Sequence, residues 1–116
     1  MVNKFLKLSE SFSVTTSVGL SVYKVDEISY CESQSNYTKI CFKNGSSLVQ
    51  AKTLRKLENF LKNKGFLRVH RSFLINTNDV KHFLFSQKNL IMADQSRIPV
   101  ARRKHKETLK FFKEQL

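Results

Sequence analysis

A chain of 116 residues with 41 % apolar side chains and ten phenylalanines makes one domain, 1–116, with a core of its own. Twenty-one Lys and Arg against nine acids leave a net +12. That excess implies a polyanionic partner, nucleic acid ahead of an anionic membrane or bare solubilising charge. No apolar run is long enough to span a bilayer, and MVNKFLKLSES lacks the apolar stretch of a secretory signal, so no membrane partner and a cytoplasmic location are expected.

In chain order, the first half predicts short strands at 11–17, 20–25 beyond a turn at Gly19, 28–33 and 37–43, the last two joined by Gln34-Ser35-Asn36. Asn44-Gly45 is the strongest hairpin signal. It predicts a type I′ turn leading into a strand at 47–50. The period then changes: Leu54, Leu57 and Leu61 share a helical face within 52–64, with Phe60 beside them and Gly65 as the stop. Strands return at 66–69, 80–85, 89–93 and 97–100, and 101–116 predicts a terminal helix with Leu109, Phe112 and Leu116 on one face. The expected fold is mainly β with one short internal helix and a C-terminal helix. The charge is uneven across it: residues 1–58 carry eight bases and five acids (+3), residues 59–116 thirteen and four (+9).

Catalytic signatures are missing. The glycines at 19, 45 and 65 are too scattered for a phosphate loop, and His70, His82 and His105 have no metal-ligand spacing. An enzyme is therefore not expected, nor a catalytic residue, metal, cofactor or small-molecule substrate. Cys31 and Cys41 are two ordinary thiols or a pair facing each other across a hairpin.

Three polar clusters sit at strand ends: Gln34-Ser35-Asn36-Tyr37, His70-Arg71-Ser72 and Arg102-Arg103-Lys104. The first reads as a polar loop or a contact, the third as a solvated helix start or an anion site. Positive charge in a first helical turn opposes the helix dipole, so something outside the helix must favour it there. The second cluster interrupts FLRVHRSFLIN. As one strand, that run puts Leu67, Val69, Arg71, Phe73 and Ile75 on one face and buries a charge. Either Arg71 has a carboxylate partner or the strand breaks. A break at His70 or Arg71 is expected, with Val69 and Phe73 packed inward, Arg71 projecting, and Arg68 paired with Glu32 or Glu58. Arg, Asn, Lys, Ser and Tyr are the residue types that hold bases and phosphates.

The ordered set ISYCESQSNYTKI, TLRKLENFL, FLRVHRSFLIN and RIPVARRK resembles the LytTR family of bacterial DNA-binding domains, from about Lys7 to Leu116. The resemblance implies an elongated stack of small antiparallel sheets whose loops, not a recognition helix, enter successive major grooves of duplex DNA. It implies base contacts from Tyr37 (or Asn36), Arg71 and Arg102, with His70, Ser72, Arg103 and Lys104 as backbone or orienting contacts. It further implies direct repeats bound by side-by-side dimers, a role in transcription regulation, and in many members an N-terminal receiver domain, which this chain lacks. An excised output domain and a free-standing regulator both fit. Two other classes compete: a basic β-module stacking RNA or single-stranded DNA on Tyr37, Phe42 or Phe85, and a module for acidic protein partners.

Overall fold

In the computed structural model, which describes residues 10–114, the first half forms β1 (Ser11–Thr16), β2 (Gly19–Lys24), β3 (Ile28–Gln34), β4 (Tyr37–Phe42) and β5 (Ser47–Gln50). Helix α1 (Leu54–Phe60) leads to β6 (Phe66–His70), β7 (Phe73–Asn76), β8 (Val80–Leu84), β9 (Asn89–Met92), β10 (Arg97–Pro99) and α2 (Arg102–Lys113). All pairing is antiparallel, in three sheets: β1-β2, β5-β4-β3-β7-β6 and β10-β9-β8. The molecule is thin in one direction, 45 × 42 × 24 Å.

The five-stranded sheet is buried on both faces, and its sequence shows it. Cys31, Ile40 and Leu74 pack with Val25, Phe42 and the α1 leucines 54, 57 and 61. The β1-β2 hairpin closes that cluster through Phe12 stacked on Tyr23 (centroids 5.5 Å apart) and Tyr23 on Phe42 (4.9 Å). On the other face Val69 and Ile75 join Leu90, Met92, Ile98 and Val100, with Tyr30, Phe73, Phe83 and Phe112 around them. Strands covered on both sides need apolar residues at consecutive positions, which is why ISYC and FLI do not alternate.

Several elements differ from expectation. Helix α1 is shorter than 52–64: the Thr53 hydroxyl caps it by accepting the Lys56 N–H at 3.2 Å, and Asn63 and Gly65 (φ 64° and 89°) turn the chain away. Helix α2 starts after Ala101 and runs to Lys113; Leu116 lies outside the described residues, as do residues 1–9, in which the family resemblance begins. The Asn44-Gly45 hairpin is not type I′, because only Gly45 takes a positive φ (92°). The Gly45 N–H donates to the Phe42 carbonyl (3.0 Å) and the Phe42 N–H to that of Ser46 (2.8 Å), which makes a three-residue loop with Gly45 as the left-handed bulge residue. The Asn44 side chain favours this form by accepting the Ser46 N–H at 2.9 Å.

Residues 92–96 repeat that turn. The Gln95 N–H donates to Met92 and the Met92 N–H to Ser96, both at 2.9 Å, and Asp94 accepts the Ser96 N–H, also at 2.9 Å. Here the left-handed position is held by Gln95 (φ 79°), whose Cβ is strained where a glycine would not be. Gln95→Gly is expected to stabilise the fold by about 1 kcal/mol, read as a raised urea midpoint at unchanged m; a lowered midpoint would contradict the turn assignment.

The cysteines cannot pair. Cys31 sits opposite Ile40 and Cys41 opposite Tyr30, so the two thiols point to opposite faces of the sheet. Burial pushes the Cys31 thiol from 9.0 up to about 12, Cys41 adding to the effect. Burial, then the Cys41 contact, likewise raises Tyr30 from 10.0 to about 12. An unfolded chain ionises both groups earlier than the folded one. Stability is therefore expected to be unaffected by them below pH 9 and to fall as pH rises from 9 towards 12. Urea titrations across that range check this, and a midpoint independent of pH would contradict it.

Candidate nucleic-acid interface

The run FLRVHRSFLIN folds as a hairpin. Strands β6 and β7 pair Arg68 with Leu74 and His70 with Phe73, so Val69 is an extra residue, a β-bulge, and Arg71-Ser72 forms the turn. The alternation breaks where the buried-charge argument required. Val69 is fully buried, Phe73 is half-buried against the same cluster, and Arg71 is exposed. Residues 73–76 then resume as a separate strand, which the sequence reading did not resolve.

Arg68 holds the turn in shape. Its Nε donates to the His70 carbonyl (2.8 Å), one terminal nitrogen donates to the Arg71 carbonyl, and the other donates to Glu58 of α1 at 2.7 Å. The expected Arg68–Glu58 pair is thus present, and Glu32 is not the partner. The Ser72 N–H donates to His70 Nδ1 (3.0 Å), which makes His70 an Nδ1 acceptor with its Nε2 left to donate outward. The Ser72 carbonyl accepts the Ser33 N–H at 2.9 Å, tying the turn to the end of β3. Asn76, at the end of the same run, is buried and structural: its Nδ2 donates to the Ile28 carbonyl at 2.8 Å.

The bulge has a second consequence. The Val69 carbonyl, released from the ladder, accepts the Ala101 N–H at 2.9 Å, and one residue earlier the Val100 N–H donates to Lys88 at 2.8 Å. Residues 100 and 101 therefore stitch the three-stranded sheet to the five-stranded one and start α2 beside the Arg71 turn. The helix begins with Arg102, Arg103 and Lys104, with no acid in its first turn. Its position is fixed further along: buried Thr108 donates to the Lys104 carbonyl (2.7 Å), and Phe83 meets His105 and Phe112 edge-on, centroids 5.3 and 6.5 Å apart. Thr108 is a buried polar residue, which apolar spacing does not mark.

The remaining cluster lies at the same edge. Gln34 and Tyr37 pair across a two-residue turn in which Ser35 alone takes a positive φ (60°), the pattern of a type II′ turn. The antiparallel register puts the ends of β3 and β6 and the starts of β4 and β7 at one end of the five-stranded sheet. Tyr37 (52 % exposed) and Asn36 stand out from it, and β4 is three strand steps, about 15 Å, from β6. Phe42, by contrast, is buried and is no stacking platform.

An open cleft of about 570 Å³ runs between the Arg71 turn and α2, lined by Glu58, Arg68, His70, Arg71, Arg103 and Lys104 among others. Its carboxylates are already matched, Glu58 by Arg68 and Glu107 by Lys104 at 3.7 Å. The guanidinium groups of Arg71, Arg102 and Arg103 have no hydrogen-bond or ionic partner among the described residues, and the three residues are exposed. This edge carries unneutralised positive charge on backbone that is held from several sides.

The model of the LytTr DNA-binding domain family matches residues 19–113. The chain belongs to that family. A sensory transduction protein LytT of Bacillus subtilis (strain 168) is 38 % identical over 99 residues, 81 % of this chain and 41 % of that protein. One from Bacillus anthracis is 41 % identical over 64 residues, 53 % of this chain and 26 % of its own length. This LytTR chain thus spans less than half of the curated relatives it matches. A solved LytTr DNA-binding domain from Bacillus cereus superposes with a TM-score of 0.76 at 21 % identity, covering 90 % of this chain and 97 % of the other, which shows the shared fold. The family is one of DNA-binding domains. Among the described residues no helix is long and apolar enough to cross a membrane.

Because the Arg68 side chain is only 19 % exposed and bonds two carbonyls, Arg68→Met is expected to cost about 2 kcal/mol of stability. Glu58→Gln should cost under about 1 kcal/mol, since Glu58 is 42 % exposed and largely screened. Equal losses in the two variants by urea titration would mean that the ion pair, not the carbonyl capping, holds the turn.

Proposed function

We propose that this domain binds double-stranded DNA sequence-specifically through the edge formed by residues 34–37, 70–72 and 101–104. Arg71 and Arg102 read bases; a guanidinium matches O6 and N7 of guanine in a bidentate way. Tyr37 or Asn36 supplies the third base contact, an asparagine amide being suited to adenine. His70 donates outward through Nε2, Ser72 and Arg103 meet the backbone, and Lys104 leaves its weak exposed pairing with Glu107 for a phosphate.

One observation carries this: exposed guanidinium groups without an intramolecular partner converge on loops that the Val69–Ala101 hydrogen bond ties together. The edge spans about 15 Å from β4 to β6, several base-pair steps of about 3.4 Å each. The domain acts in the bacterial cytoplasm as the output unit of a longer two-component regulator with a receiver domain. Two copies lie side by side on direct repeats.

Selection of bound sequences from random duplexes tests the proposal, with a direct-repeat motif as the expected result. Arg71→Ala and Arg102→Ala should each lose about 1–3 kcal/mol of discrimination at particular bases, and Lys104→Ala should weaken all duplexes about equally. Full discrimination in both arginine variants would overturn the base-reading assignment. Preferential competition by single strands would favour the module that stacks unpaired bases.

A further inference from the structure

The turn between β8 and β9, residues 85–88, is outside every cluster considered so far, yet it adjoins the start of α2 from the side opposite the Arg71 turn. Three contacts place it there. The Lys88 carbonyl accepts the Val100 N–H at 2.8 Å, two residues before Arg102. Phe85 lies edge-on to Phe83 (5.1 Å) and 6.5 Å from the His105 ring in the first turns of α2. Gln87 Oε1 accepts from an Arg97 guanidinium nitrogen at 3.1 Å, which brings that charge up to the turn from β10.

Lys88 itself is exposed and left-handed (φ 52°), and the turn closes through its N–H on the Phe85 carbonyl at 3.1 Å. A non-glycine residue in this region is strained, so a glycine would serve the turn better. Neither Lys88 nor Arg97 has a carboxylate partner among the described residues. Two unneutralised cations therefore sit on or against the turn whose backbone bonds Val100, two residues before Arg102.

The geometry points to a fourth DNA-contacting element: the 85–88 turn, with Lys88 and Arg97 meeting duplex phosphates that flank the base read by Arg102. This rests on the duplex-DNA function proposed above and extends it. The chemistry is that of a phosphate contact, a flexible ammonium and a guanidinium held by a neutral amide, with no base-reading geometry. Such contacts add affinity for every sequence and appear in the salt dependence.

The test is binding to a cognate duplex and to a scrambled one between 0.05 and about 0.3 M salt. Lys88→Gln and Arg97→Gln should each lower the slope of log K against log salt by about 1 and weaken both duplexes about five-fold at 0.15 M. Lys81→Gln is the control: it removes the same charge from an exposed position at the other end of β8 and should leave the slope closer to that of the parent. Trimming the duplex on the Arg102 side should erase the difference between parent and the two variants. Circular dichroism and a urea midpoint for each variant separate binding from folding, and Lys88→Gly, which relieves the strain and removes the charge, should bind weakly while folding at least as stably. If the parent binds duplex and Lys88→Gln, Arg97→Gln and Lys81→Gln all keep its slope, the fourth contact is refuted and the three-loop edge stands. A parent that binds no duplex refutes the DNA function itself.

Discussion

The Ala101 N–H to Val69 carbonyl hydrogen bond is the contact on which the functional edge depends. It exists because Val69 is one residue too many for the β6–β7 ladder, so its carbonyl has no partner there. A buried carbonyl without a hydrogen bond costs about 1–3 kcal/mol. Ala101 supplies that bond and in doing so sets where α2 starts. The bulge, the Arg71 turn and the basic first turn of α2 are thus parts of one local solution. Arg68 completes it from the other side by capping the His70 and Arg71 carbonyls.

The same place departs from what local stability favours. Ala101 is the N-cap of α2 and offers no side-chain oxygen to the free amides, although Ser or Asp there would add about 1 kcal/mol. Three cations follow in the first turn, where the helix dipole disfavours them by roughly 0.3–1 kcal/mol each. By contrast Lys110 and Lys113 sit in the last turn, where the dipole favours them. A site that combines free amides, an uncapped N-terminus and unneutralised arginines is poor for the free protein and good for a bound anion.

Much of this was legible in the sequence because strand and helix periods are local. All strands but β7 appeared with small boundary errors, and a charge at an inward position of FLRVHRSFLIN was enough to require a break that left Val69 and Phe73 inside and Arg71 outside. Of the two partners expected for Arg68, Glu32 and Glu58, the fold supplies Glu58. What was not legible depends on tertiary contacts. Apolar spacing overran α1 because Leu61 is buried although it lies past the helix end. Asn-Gly suggested the wrong turn class because the Asn44 side chain bonds within the loop. Two cysteines in neighbouring strands can face each other or not, and only the register, Cys31 with Ile40 and Cys41 with Tyr30, decides. Nothing local marks Lys88 as a neighbour of Val100.

The central claim is that three loops at one end of the five-stranded sheet form a single DNA-reading edge. Amide chemical shifts recorded while a selected duplex is titrated into the isotope-labelled domain test it most directly. The account predicts perturbations concentrated at residues 34–37, 70–72 and 101–104, with the adjoining 85–88 turn beside them, and little change at Asn44, Gly65 and Asp79 at the sheet's other end. Perturbations centred on that other end, or spread evenly over the basic surface, would contradict it.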